Sequence, residues 1–238
     1  MQIIYKALAR AIAKRPRLVD WIVNRAKRTP YITIMSRDGK HEYMRRYWLF
    51  NAYQLADGTW PKRNPIMRLL PSIRIHEILR KDEDKHLHDH PFNAQSLILR
   101  GWYLEQTENP EFESAISPNP SNPEFRNVIK EAGDSYPIRF GQYHRIVGKS
   151  FEPVITLFIT FGYKGTWGFK VGGRKVKYMD YFSGNYQVGE IACASCAAPV
   201  PVMKCNEDLL DRQCALCASQ REVNAVFENI KSEARNLK

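Results

Sequence analysis

The clearest chemical feature of the sequence is a run of alternating histidines, His86, His88 and His90, within residues 85–91. Alternate residues of an extended strand project to the same side, so two of these imidazoles can share one metal. The best placed of the remaining histidines to add a third ligand is His144. The alternative is that these histidines are polar residues of exposed turns. We predict one divalent transition metal (Fe, Mn, Ni or Zn), bound chiefly by His88, His90 and His144.

Cysteines give a second candidate metal site near the end of the chain. Cys193 and Cys196 form one Cys-x-x-Cys pair, Cys214 and Cys217 form another, and 17 residues separate the two pairs. Four thiolates at this spacing can bind one zinc tetrahedrally, whereas the alternative is a set of unligated thiols. Residues 187–238 hold few aliphatic side chains, so zinc would supply most of the folding energy of this segment. Cys205 lies between the pairs and is predicted to be a bystander.

Charge is concentrated at the start of the chain. The formal net charge is +11, and residues 1–30, called the basic arm below, contain eight Lys or Arg and one acid. Such an arm can bind a polyanion, DNA or RNA above all, or it can be a solvated face. All five cysteines fall between residues 193 and 217, so a distributed disulfide framework is not expected and a reducing cytoplasm fits. No apolar run approaches the roughly 20 residues that span a bilayer.

Hydrophobic periodicity places the histidines in a β domain. The basic arm shows helical periodicity on either side of Pro16, which predicts two short amphipathic helices that dock on the domain or on a second copy of it, or lie on a membrane. Residues 31–186 contain short runs of Ile, Tyr, Phe and Trp between turn signals. The predicted strands are 31–35, 42–50, 72–80, 94–106, 136–140, 153–161, 166–171 and 175–182. Eight strands suit a jelly-roll barrel, and residues 108–125 read as a long loop.

The histidine pattern resembles the cupin superfamily. The His-x-His of the first cupin motif matches His88 and His90, its closing glycine matches Gly101, and the second motif matches residues 133–144. The acidic ligand of the family is replaced by residues 93–95, where Asn93 and Gln95 are the polar candidates. The resemblance implies a jelly-roll barrel with a three-His site. Three neutral ligands leave positions for water, dioxygen or substrate.

A narrower resemblance covers residues 42–182. It links the chain to uncharacterised cupin-like proteins of bacteriophages, which implies the fold and the metal ligands and names no substrate. The similar segments are residues 46–49, 75–76, 82–84, 87–91, 96–103, 144–146 and 167–169. The Cys segment is similar in spacing and layout to the treble clef of a GATA-type zinc finger, followed by a helix. A phage-encoded chain would work in the host cytoplasm.

Three further residues are candidates for catalysis or positioning. Glu105 and Arg145 can bind an acidic substrate or orient an imidazole, and surface pairing is the alternative for both. His76 lies on a predicted strand and can point into the barrel beside the metal, or serve as a hydrogen-bonded interior histidine.

Two functions from different classes follow from these features. The first is a metal-dependent cupin enzyme, foremost an Fe(II) oxygenase of dioxygenase type, acting on an unknown small or nucleic-acid-derived substrate. The second is a non-catalytic accessory protein that binds nucleic acid through the basic arm while its metals are structural. A homodimer is compatible with either. The predicted organisation is a basic helical arm (1–30), a cupin β-barrel (31–186) and a zinc finger with a C-terminal helix (187–238).

Overall fold

The computed structural model describes residues 2–62, 65–109 and 125–186, together with the backbone of 191–192 and 199–200. The chain separates into two compact units, residues 1–186 and 187–238. In the second unit, β12 (Ile191–Ala192) pairs with β13 (Pro199–Val200). The predicted zinc ligands, Cys193, Cys196, Cys214 and Cys217, lie outside the described residues.

Antiparallel strands dominate the first unit. Its elements are, in chain order, α1 (Gln2–Ala13), α2 (Pro16–Lys27), β1 (Pro30–Met35), β2 (Glu42–Phe50), α3 (Pro65–Leu69), β3 (Ser72–Ile78), β4 (Phe92–Arg100), β5 (Trp102–Glu108), β6 (Phe125–Glu131), β7 (Ser135–Ile138), β8 (His144–Lys149), β9 (Val154–Tyr163), β10 (Gly168–Val171), β11 (Arg174–Lys177) and α4 (Tyr178–Ser183). The mainly β class is confirmed.

The strands form one large and one small group. The large sheet has six strands in the order β1-β2-β3-β9-β4-β7, the small sheet has the order β6-β5-β8, and β10 and β11 form a hairpin. Two isolated bridges join His88 to His144 at the start of β8 and to Phe169 in β10. The histidine segment thus lies between the small sheet and the hairpin. Closure of the predicted barrel by continuous ladders is not seen among the described strands.

The basic arm packs on one face of the large sheet. Side chains of α1 and α2 share an apolar cluster with alternate residues of β3, β4 and β9; its buried members are Ala9, Ile12, Val19, Ile22, Val23, Ala26, Ile75, Leu97, Leu99, Ile155, Leu157 and Ile159. The two predicted amphipathic helices are confirmed. Part of their apolar surface covers the sheet, because strand alternation turns a continuous apolar row to that side. Ile3, Ile4, Leu8 and Trp21 of the helices are exposed.

The opposite face of the large sheet looks inward and is mixed in polarity. Its residues follow from strand alternation and register: Met44, Arg46 and Trp48 of β2, Arg74, His76 and Ile78 of β3, Thr156, Phe158 and Thr160 of β9, and Ala94, Ser96 and Ile98 of β4. Part of this face packs on Tyr103 and Ile146 of the small sheet. Three basic side chains therefore stand on the inner face of a β domain.

Several predicted boundaries were wrong. The strand predicted at 94–106 divides at Gly101, which has φ 76° and lies so close to Ser150 that an added Cβ would be 2.7 Å from its Oγ. Only glycine allows the chain to leave the large sheet and enter the small one there. The strand predicted at 175–182 ends at Lys177 and gives way to α4, whose Tyr181 ring stacks on Phe169 at 3.8 Å between centroids. Strands β6 and β8 were not predicted.

Candidate metal centre

Backbone pairing holds the histidine segment in an extended conformation. His88 N–H donates to the His144 carbonyl and His144 N–H donates to the His88 carbonyl, both at 2.9 Å. On the other side, Asp89 N–H donates to the Gly168 carbonyl at 3.0 Å. The segment forms two isolated bridges and not a regular strand, yet this pairing preserves the predicted alternation. His88 and His90 consequently project to one side and Asp89 to the other.

Asp89 anchors the segment from its back side. The side chain is 1% exposed. Its Oδ1 accepts a hydrogen bond from Gly168 N–H at 2.7 Å, and its Oδ2 pairs with Lys175 Nζ at 2.5 Å. A buried carboxylate with both oxygens occupied fixes the backbone between the two histidines. Asp89 was missed as a functional residue, although its position between His88 and His90 is the signal that identifies it.

The three predicted ligands converge. One ring nitrogen from each of His88, His90 and His144 lies within 4.8 Å of the others. The Nε2 atoms of His90 and His144 are 2.8 Å apart. Metal–imidazole bonds of about 2.1 Å at right angles place two nitrogens roughly 3 Å apart, so this pair already has the spacing of neighbouring ligands on one ion. The residues present therefore fit a metal.

Glu105 sets the tautomer of His144. Glu105 Oε1 lies 2.6 Å from His144 Nδ1, and both side chains are buried. Because a carboxylate only accepts, Nδ1 carries the proton and the lone pair of Nε2 faces His90. Burial acts to lower the pKa of His144, but the hydrogen bond and charge of Glu105 outweigh it and raise this pKa. Glu105 is thus a positioning residue for the third ligand.

Burial keeps the other two imidazoles neutral. It lowers the pKa of His88 to about 4, against an opposing effect of the Asp82 carboxylate, which lies 3.8 Å from Nδ1. Burial and the neighbouring His144 and His88 also lower the pKa of His90 well below its ordinary value. Metal ligation requires neutral imidazole, so both histidines are ready to bind at neutral pH without releasing a proton.

The other candidates occupy different positions. Arg145 donates through Nε to Gln106 Oε1 at 2.8 Å and through Nη1 to the Lys85 carbonyl at 2.6 Å, so it holds the loop that leads into the histidines. His76 is outside the three-His group and stacks on Phe158 at 4.6 Å between centroids. His86 contacts the Tyr181 hydroxyl at 3.0 Å through Nδ1.

Asn93 and Gln95, the residues at the place of the acidic cupin ligand, bond elsewhere. Asn93 Oδ1 accepts a hydrogen bond from Phe140 N–H at 2.9 Å. Gln95 Nε2 donates to Ser135 Oγ at 2.6 Å, and register places Gln95 on the helix-covered face of the large sheet. Strand alternation turns Gln95 away from the histidines, and the side-chain oxygen of Asn93 is engaged by a backbone donor.

Asp82 is a second residue that sequence reasoning left without a role. Its Oδ2 accepts a hydrogen bond from Ile146 N–H at 2.7 Å, and its Oδ1 accepts one from the Tyr43 hydroxyl. The carboxylate therefore joins the loop before the histidines to β8 and faces His88 as well. Its place in the acidic run 82–84 was a signal, but the run alone did not show which carboxylate turns inward.

Glu105→Gln should weaken metal binding about 10- to 100-fold, the usual effect of altering the partner of a ligand imidazole. The amide can still approach His144 but lacks the charge that fixes its tautomer. The measurement is a competition titration against a chromophoric chelator. Glu108→Gln is the matched control, because Glu108 lies on the same strand and pairs with Lys170. Equal metal affinity of the two variants would show that Glu105 does not support metal binding through His144.

Comparison with known proteins gives only distant structural likenesses. No protein-family model matches the sequence, and no curated protein matches it. The Fe(II) form of HppE is similar over 57% of this chain and 57% of that chain, at 11% identity and a TM-score of 0.37. Hydroxypropylphosphonic acid epoxidase from S. wedmorenis is similar over 50% of this chain and 51% of that chain, at 12% identity and a TM-score of 0.32.

A third likeness is to a mutant of Bacillus subtilis oxalate decarboxylase, over 63% of this chain and 30% of that chain, at 14% identity and a TM-score of 0.36. These neighbours are cupin-fold proteins. The chain thus spans 57% or less of the length of each. Each of these three TM-scores is below 0.5.

Proposed function

We propose that the protein is a metal-dependent cupin-type enzyme of oxygenase type that acts on a small molecule at His88, His90 and His144. The observation that carries the proposal is the convergence of three imidazole nitrogens, one of them with its tautomer set by a buried carboxylate. A metal held by three neutral ligands keeps open positions where dioxygen and substrate can bind. A structural metal would be expected to have a closed set of four protein ligands.

The protein's own groups have distinct tasks in this proposal. The three histidines hold the metal, and Glu105 and Asp89 hold two of the supporting elements in place. Aromatic rings lie beside His90 and His88. Phe92 stacks on His90 at 5.6 Å between ring centroids, and the centroids of Trp167 and Phe169 lie 6.3 and 6.1 Å from that of His88. Such rings exclude water from the centre and strengthen its electrostatic interactions.

The test combines elemental analysis with a spectroscopic probe of open coordination. The purified full chain is reconstituted with Fe(II) under anaerobic conditions and exposed to nitric oxide, which binds an iron that has a free position. We expect the electron paramagnetic resonance signal of a high-spin iron–nitrosyl species. Iron that binds without giving this signal would show a closed site and would favour a structural metal.

We propose further that Cys193, Cys196, Cys214 and Cys217 bind one zinc. The paired thiolates at finger spacing support this. Cys196→Ser combined with Cys217→Ser should remove about one zinc equivalent from the full chain, because two of the four thiolates are lost. Cys205→Ser is the matched control and should retain the zinc. A disulfide among the four cysteines in mass spectra of the unreduced protein would contradict the assignment.

Binding of a polyanion is a second candidate role, and the exposed charges of the arm support it. Lys6, Arg17 and Arg25 are exposed on α1 and α2, whereas the buried side chains of these helices pack on the large sheet. Cations on a solvent-facing helix surface can neutralise the phosphates of DNA or RNA. None of the described helices is long and apolar enough to cross a bilayer.

A further inference from the structure

The inner face of the large sheet carries a cluster of basic side chains beside the histidine centre. Arg46 of β2 pairs in register with His76 of β3, and Arg74 lies two residues before His76 on the same face. Phe158 connects this cluster to the centre, because its ring stacks on His76 at 4.6 Å and lies 6.3 Å from the ring of His90. The three basic residues and the three-His centre thus border the same interior.

Arg74 is almost completely enclosed and incompletely hydrogen-bonded. It is 2% exposed, its Nε has no partner, and its Nη1 reaches the Tyr53 hydroxyl at 3.4 Å. Four aromatic rings surround the guanidinium carbon at 5.3 to 5.8 Å, namely Tyr31, Trp48, Phe92 and Phe158. Aromatic faces stabilise a cation but accept no strong hydrogen bonds. The Nε–H group of this guanidinium can therefore still donate a hydrogen bond in the interior.

The neighbours of Arg74 show the same lack of partners. His76 is 5% exposed with an unpartnered Nε2, and Thr156, paired with it across β3 and β9, is 2% exposed with an unpartnered Oγ1. The Nε of Arg46 donates to Met44 Sδ at 3.3 Å, which is a weak acceptor. Buried polar atoms without partners are uncommon in folded proteins, and several in one place indicate a missing ligand.

No carboxylate neutralises these cations within the described part of the chain, where neither Arg46 nor Arg74 forms an ion pair. Burial, reinforced by the charge of Arg74, lowers the pKa of Arg46 to about 10. Burial and both arginines keep His76 neutral by lowering its pKa. Unpaired buried charges destabilise a fold unless a bound anion neutralises them.

A surface cleft lies next to the cluster, on the other side of Tyr53. It has a volume of about 720 Å³ and is lined by Tyr53, Trp60, Pro61, Lys62 and Arg68. Tyr53 forms a common wall, because it lines the cleft and its hydroxyl accepts the hydrogen bond from Arg74. Both charged residues of the lining are basic, so the electrostatic potential of the cleft favours an anion.

We propose that Arg46, Arg74 and His76 form a subsite for the anionic group, a carboxylate or a phosphoryl group, of the small-molecule substrate that reacts at the three-His centre. Arginine pairs with either group through two parallel hydrogen bonds. Neutral His76 and Thr156 add hydrogen-bonding atoms beside the arginines. The proposal rests on the proposed function for the reaction, but binding of an anion to the subsite does not itself require the metal.

The experiment measures the binding of small anions to the full chain. Inorganic phosphate and acetate are titrated calorimetrically into the metal-loaded protein, with acetamide as the neutral analogue of acetate. The same titrations use Arg74→Met, Arg46→Met and, as the matched control, Arg174→Met, which changes an exposed arginine of β11. Each interior variant should weaken binding of at least one anion about 10- to 100-fold, the range expected for losing one charge-assisted contact. Arg174→Met should bind both anions with the affinity of the unsubstituted protein. Acetamide should not bind.

The thermal midpoint distinguishes a ligand-binding role from a structural one. Removal of an uncompensated buried charge should leave the midpoint of Arg74→Met equal to or above that of the unsubstituted protein. Lower stability with unchanged anion affinity would make Arg74 a structural residue and overturn the proposal. Should Arg74→Met not fold, Arg46→Met decides the question by the same two readouts.

A further variant separates failure of the subsite from failure of the metal centre. His88→Ala with His90→Ala should lose the metal and still bind phosphate or acetate. Protein that binds metal but neither anion overturns the subsite alone. Anion binding that disappears together with the metal shows that the anions ligate the metal, which also overturns the subsite and leaves the centre intact.

Discussion

His88→Ala combined with His90→Ala should reduce the metal content of the first unit from about one equivalent to nearly none, because a single remaining imidazole does not retain a divalent ion against dilution. Elemental analysis after reconstitution and desalting measures the loss. The zinc proposed for the cysteine segment should remain, which provides an internal reference in the same sample.

The matched control for this variant is His86→Ala. His86 belongs to the same alternating run, but its Nδ1 contacts the Tyr181 hydroxyl and it lies outside the three-His group. It should therefore keep the metal. The backbone bonds between His88 and His144 do not depend on side chains, so circular dichroism should show a retained fold for the double variant. An unchanged metal content would refute the centre.

Deletion of residues 1–30 should unfold or aggregate the protein. Four large aliphatic side chains of the arm, Ile12, Val19, Ile22 and Val23, are buried against the large sheet. Burial of such side chains contributes about 1.5–3 kcal/mol each, so their joint loss approaches the whole stability of roughly 5–15 kcal/mol of a typical domain. The deletion also exposes the apolar face of a sheet, which promotes association. Soluble yield and the thermal midpoint measure the effect.

Charge substitution is consequently the suitable way to test polyanion binding. Lys6→Gln, Arg17→Gln and Arg25→Gln together should leave the thermal midpoint unchanged, because all three side chains are exposed. If each contacts one phosphate, the slope of log affinity against log salt should fall by about 0.9 per residue on duplex DNA. An unchanged slope would show that these three side chains do not contact the phosphates of DNA. For the deletion of residues 1–30, a soluble variant with the stability of the full chain would contradict the docking of the arm on the sheet.

Local patterns in the sequence were sufficient for much of the fold. Strand 42–50 has the predicted bounds, and the amphipathic helices on either side of Pro16 appear as expected, because period-two and period-3.6 patterns report directly which face is buried. The alternation of His88, Asp89 and His90 likewise determined that two imidazoles share one side. Its neighbour His86 lies outside the three-His group, with its Nδ1 at the Tyr181 hydroxyl.

Other features depended on contacts between residues distant in the chain. The short strand β8 lacked a pattern of its own, and its place is set by pairing with β5 and with His88. The segment after Lys177 is rich in aromatic residues, which suits a strand, but packing of Tyr181 on Phe169 favours a helix there. Propensity is a weak guide in such short segments because tertiary contacts override it.

The sequence by itself determined the three histidines of the proposed centre, the alternation that aligns two of them and the basic character of the arm. The tertiary structure alone decided that Glu105 contacts His144 across 39 positions of sequence, and that Arg46, Arg74 and His76 face the interior. A charged residue within a strand looks the same in sequence whether it faces solvent or the interior. The helices cover one face of the large sheet, and residues of the other face lie in the interior. Only the packed molecule shows which face the helices cover.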